Sequence, residues 1–161
     1  MPKAVALAEK QAGEDLDGAV SLLRAAAPFA TESEIEALAQ ARTKLLEQLI
    51  AQQPDNMDAV DDLAVLYEAE GNFERCEELL APHRDALGDR EGARVLGQIH
   101  SSRGEYEAAQ ALLVPYAEAR LQALHDAETA LQATAELLQE KLIQQLNDGE
   151  ADQAFYSGYE S

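Results

Sequence analysis

The sequence predicts an all-α fold of about seven to eight helices, built as antiparallel helix-turn-helix repeats and closing on a long C-terminal helix. Three observations predict it. Of 161 residues, 31 are Ala and 23 are Leu, while Val (6) and Ile (4) are scarce; strands favour β-branched residues and helices favour Ala and Leu. Apolar residues recur at steps of three and four between the breakers, prolines at 2, 28, 54, 82 and 115 and several glycines. A central segment repeats itself at a fixed 33-residue interval, the sign of a stacked array.

The elements come in order. Pro2 suits the first turn of a helix to Gln11, and Gly13 ends it. A second helix from about Asp15 buries Leu16, Ala19, Val20, Leu22 and Leu23, up to Pro28. Thr31-Glu32-Ser33-Glu34 has capping-box spacing and opens a long third helix. Its stripe is Ile35, Leu38, Ala39, Leu45, Leu46, Leu49 and Ile50, and Pro54-Asp55-Asn56 closes it. A fourth helix, about Asp58 to Glu70, leads to the turn Gly71-Asn72. A fifth begins at Phe73 and meets Pro82. A sixth carries Ala93, Leu96, Gly97 and His100 as far as Gly104. A seventh begins at Tyr106 and meets Pro115; both prolines should shorten or kink their helices. Residues 116–147 lack Gly and Pro and read as one helix or two. Along them Leu124, Ala127, Leu131, Ala135, Leu138, Leu142 and Leu146 share a face. One domain is expected over 1–147 and an acidic polar tail over 148–161.

The repeat aligns Gly71-Asn72-Phe73 through Pro82 with Gly104-Glu105-Tyr106 through Pro115. Leu63, Ala64 and Tyr67 align with Leu96, Gly97 and His100. The best units are 57–89 and 90–122. In each, a small residue lets two helix backbones approach, and large residues fill the flanks. Ala64 and Cys76 hold that place in one unit, Gly97 and Ala109 in the next. The pattern Val60, Leu63, Ala64, Tyr67, Gly71, Phe73, Cys76, Leu80 resembles the tetratricopeptide repeat family. The match is good over 57–115 and fainter over 4–27. It implies that the aromatic at 73 or 106 packs between the two helices of its unit. It also implies an inner surface formed by the first helix of each unit.

The charge narrows the function classes. Twelve Lys and Arg against 31 Asp and Glu give −19, which opposes binding to nucleic acid or anionic membranes. No apolar run reaches the roughly 20 residues of a bilayer span. The amino-terminal run MPKAVALAEKQAGED shows no secretory core, so a cytoplasmic protein is expected. A single cysteine excludes an internal disulfide, and Cys76 reads as a buried, inert thiol. His83, His100 and His125 lack metal-site spacing. The carboxylates form no catalytic set, and neither a phosphate loop nor a nucleophile elbow is present. No catalysis, metal or cofactor is expected.

The resemblance therefore implies a non-enzymatic protein-interaction module or scaffold that binds a peptide or protein. Its candidate binding residues are Asp58, Asp61, Asp62, Val65 and Glu68 in one unit and Glu91, Arg94, Gln98, Ser101 and Ser102 in the next. Acidic positions there would repel a carboxylate and attract a basic peptide. The alternative is a structural or oligomerisation subunit using the C-terminal leucine-rich helix. For that strip, packing on the seventh helix is the preferred expectation. Pairing with a second copy remains open, and a membrane helix is opposed by the lack of cations.

Overall fold

The computed structural model describes the backbone of residues 2–157 and the side chains of residues 3–146. Among the described residues the fold is all-α. Its elements are α1 (Pro2–Gln11), α2 (Leu16–Ala26), a 3-10 turn (Ala27–Phe29), α3 (Glu32–Gln52), α4 (Met57–Ala69), α5 (Phe73–Leu80), a 3-10 segment (Ala81–Ala86), α6 (Glu91–Ser102) and α7 (Tyr106–Ser157). Each helix from α1 to α5 packs on its successor, and α4 also packs on α6. Helices α4 and α6 thereby lie side by side in one layer. The chain divides into two compact units at Ala117/Glu118, whereas the sequence reading draws one domain over 1–147.

Local chemistry sets the helix starts. Asp15 accepts a hydrogen bond from the Gly18 N–H at 2.9 Å, and Asn56 accepts from Ala59 at 3.1 Å, as N-caps do. The capping box at Thr31 forms: its N–H donates to the Glu34 carboxylate at 3.1 Å. The two glycine turns of the repeat are alike in detail. Gly71 has φ +73° and Gly104 φ +78°, a region open to glycine. At the first, Asn72 N–H donates to the Tyr67 carbonyl and Gly71 N–H to that of Glu68. At the second, Glu105 donates to His100 and Gly104 to Ser101. Both are Schellman motifs, which satisfy carbonyls that a helix end leaves over.

The core of the first unit is aliphatic. Leu23, Leu46, Leu49, Val60, Leu80, Leu87 and Leu96 are essentially sealed from solvent, and among the described residues no polar or charged side chain is buried with them. The small-to-large interlock lies at its centre. Ala64 and Cys76 are fully buried, with the Cys76 thiol 3.5 Å from the Ala64 carbonyl. Gly97 and Ala109 are buried too. A Cβ at Gly97 would lie 2.7 Å from Leu113 Cγ, so α6 and the start of α7 meet at a distance that only glycine fits without a shift.

Three expectations are corrected. First, the repeat aromatics are not core residues: Phe73 is 49% and Tyr106 71% exposed. Each stands at the first position of its helix, where its side chain faces out beside the glycine turn. Second, Pro82 shortens its helix as expected, whereas Pro115 does not. Helix α5 ends two residues before Pro82, and a 3-10 segment comes next. Helix α7 runs through Pro115. After Pro82 comes Gly88 with φ +50°, and Leu87 turns into the core. The positions 33 residues on are Arg120 and Leu121, leading into Ala-, Leu- and Gln-rich sequence. That run of strong helix formers offsets the roughly 3 kcal/mol cost of an interior proline. Third, residues 116–147 belong to that same helix, and the leucine strip is bare rather than packed. Leu124, Leu131, Leu138, Leu142 and Leu146 are 58–71% exposed. The aromatic side chains of the 148–161 tail lie outside the described residues.

Candidate functional site

The predicted binding face is built by α4 and α6. Its carboxylates, however, are tied to arginines in a ladder of ion pairs between helices. Arg90, the N-cap residue of α6, donates to Asp58 at 2.7 Å and to Asp61 at 3.0 Å. Asp61 also accepts the Gly92 N–H at 2.9 Å. Asp62 accepts from Arg24 Nε of α2 at 3.0 Å and lies 3.6 Å from Arg42 of α3. Glu68 meets Arg94 in a two-bond fork at 2.8 and 2.6 Å. Such bidentate pairs are the stronger kind.

The second-unit residues join the same network. Arg94 Nε donates to Glu91 at 2.8 Å and Arg94 Nη1 to Gln98 at 2.9 Å. The Tyr116 hydroxyl donates to Glu91 at 2.8 Å. Ser102 Oγ donates back to the Ile99 carbonyl at 2.7 Å, and Ser101 is exposed. Val65 is 37% exposed. The pairing bears on the proton affinity of Asp58 and Arg94. The Arg90 guanidinium holds the Asp58 carboxyl below its ordinary value of 3.8, and Glu68 holds the proton on Arg94 more firmly.

Electrostatically, five carboxylates (Asp58, Asp61, Asp62, Glu68 and Glu91) face four arginines (Arg24, Arg42, Arg90 and Arg94). These pairs offset most of the local negative charge. These side chains tie α2, α3 and α6 to α4. Similar ties flank the face: Arg75 pairs with Glu47 at 3.4 Å, Arg103 with Glu77 at 2.7 Å. Arg75 also stacks over the Tyr67 ring at 4.8 Å, and the Tyr67 hydroxyl donates to Glu47 at 2.7 Å.

Beside this network lies a recess of about 340 Å³ lined by Glu68, Phe73, Val95, Gln98, Ile99 and Ser102. It brings together three residues predicted from the sequence, Glu68, Gln98 and Ser102. It adds three that sequence reasoning missed. Val95 and Ile99 form an apolar floor and are buried, with 1% and 4% of their surface exposed; Phe73 is the half-exposed wall. The available signal was the spacing of Val95, Ile99 and Ser102 on α6, one turn apart on the side next to Gln98. Asp58, Asp61, Asp62, Val65, Glu91, Arg94 and Ser101 do not line it.

The polar groups of the recess are a carboxylate held by arginine, an amide and a hydroxyl bonded to its own helix. Cys76 is sealed, and burial pushes its thiol up to about 11, away from the reactive thiolate. Among the described residues no group of three His, Cys, Asp or Glu side chains could hold a metal ion, and no helix is long and apolar enough to cross a membrane. Comparison with known proteins finds no matching family model, curated protein or solved structure.

Proposed function

We propose that the chain is a non-enzymatic binding module of tetratricopeptide-repeat type, and that the recess between α4, α5 and α6 receives an apolar side chain of a partner polypeptide. The observation that carries this reading is the recess itself: an apolar floor, an exposed aromatic wall and a rim of one arginine-paired carboxylate, one amide and one hydroxyl. Docking sites combine these features, with apolar area supplying affinity and a few polar groups setting orientation. The twin Schellman turns and the buried Ala64/Cys76 and Gly97 crossings support the repeat assignment. The cytoplasm is the compartment this reading assigns, in keeping with a single reduced thiol.

The test uses Phe73, whose exposure lets it change without opening the core. Wild type, Phe73→Leu and Phe73→Asp are immobilised and exposed to extract from the native cell. Proteins retained by the first two and lost by the third support the recess. The same proteins captured equally by all three, with unchanged urea midpoints, refute it.

A further inference from the structure

The second compact unit carries a surface that the recess does not explain. From Leu124 to Leu146 the strip repeats every eleven residues: 124, 135 and 146; 127 and 138; 131 and 142. Eleven residues in three turns is about 3.67 per turn, close to a straight helix. The strip therefore stays on one side for about 33 Å. Its leucines are 58–71% exposed, although such faces are normally covered.

Charge says what covers it. At about 100° per residue, Glu118, Asp126, Glu136 and Glu140 fall on the half of α7 opposite the strip. The strip and its edges hold Arg120 and Glu128, one charge of each sign. The protein as a whole carries −19, so a partner chosen by charge would be drawn to the reverse of this helix. The near-neutral strip matches another surface of its own make.

From these features we infer that the strip is the self-association surface, covered by the same strip of a second copy of this chain. The area suffices. Half the circumference of an ~11 Å cylinder over ~33 Å is about 570 Å², or about 1,100 Å² for the pair. That is the size of a reversible rather than obligate interface. A two-fold antiparallel pairing also interlocks. With Leu131 against Ala135 of the second copy, Leu124 falls against Leu142, and Leu138 falls against Glu128, one residue from Ala127. Large side chains then meet small ones at the centre, and the contact is self-complementary, as two-fold interfaces are. The inference is independent of the recess.

Sedimentation equilibrium of the full chain across a concentration series tests it at low and high salt. A monomer–dimer equilibrium is expected that tightens as salt screens the repulsion between two acidic copies. The double substitutions Leu131→Asp/Leu138→Asp and Leu131→Ala/Leu138→Ala each raise the dimer dissociation constant, the first by about a hundredfold. The alanine pair keeps helix propensity, so its loss of dimer is not a loss of helix. Glu128→Leu tightens the dimer. A monomer at every concentration, a dimer indifferent to both double substitutions, or association weakened by salt overturns the inference.

Discussion

Gly97→Ala tests the helix crossing that organises the repeat. A Cβ there would lie 2.7 Å from Leu113 Cγ, 2.8 Å from Leu113 Cδ2 and 3.3 Å from Leu112 Cβ. Carbon atoms rest at about 3.5–4.0 Å, so α6 and α7 must separate by up to about 1 Å, or Leu113 must leave its place. Overpacking of this kind costs about 1–3 kcal/mol. Alanine returns about 1 kcal/mol of helix propensity over glycine. The net expectation is a loss of about 1 kcal/mol, or about 4 °C in melting temperature for a unit of this size. Urea unfolding followed by circular dichroism measures it. The decisive comparison repeats the substitution in a Leu113→Ala background, where the two shortest contacts, both with Leu113, are gone. There Gly97→Ala should be neutral or stabilising, a coupling of about 1–2 kcal/mol. An equal effect in both backgrounds would refute the interlock.

Other consequences are as direct. Cys76 should resist iodoacetamide at about pH 8 in the folded protein and react once urea unfolds it; rapid labelling of the folded form would contradict its burial. Arg94→Ala breaks a partly exposed two-bond pair with Glu68 and should cost about 1–2 kcal/mol. Arg24→Ala, with a half-exposed side chain, should cost less than about 1 kcal/mol, and equal losses would mean that exposure does not rank these ties. Asp58 and Glu77, held below their ordinary 3.8 and 4.5 by Arg90 and Arg103, contribute to acid sensitivity. A carboxylate lowered in the folded state stabilises fully above its unfolded value, and the contribution fades as pH falls through the lowered one. Asp58→Asn should therefore make the dependence of the urea midpoint shallower below about pH 5; an unchanged profile would count against the Arg90 pairing.

The sequence made the hairpins legible because their information is local. Gly71 and Gly104 announce left-handed turns, Thr31 to Glu34 a cap, and Ala64, Cys76, Gly97 and Ala109 the close crossings. Pro115 misled because a proline's effect depends on the residues downstream of it. Pro82 and Pro115 stand at equivalent positions, yet only the first has a glycine and an anchoring leucine soon after it. The site was half legible. Helical spacing identified Glu68, Gln98 and Ser102 as surface positions. It could not show that Asp58, Asp61 and Asp62 are engaged, because their arginines come from α2, α3 and the start of α6, up to 38 residues away. Long-range pairing leaves no mark in a local pattern. Phe73 was misread for a related reason: a repeat position fixes where a residue starts, not which way its side chain leaves the helix end.

The arginine ties have one more effect. Six of the eight arginines bridge helices through carboxylate partners, so few cations remain to balance the other acids. The exterior will instead gather a mobile cloud of small cations from the medium. Dilution of that cloud should make the folded array less stable through self-repulsion, so the buffer acts as a further component of its structure.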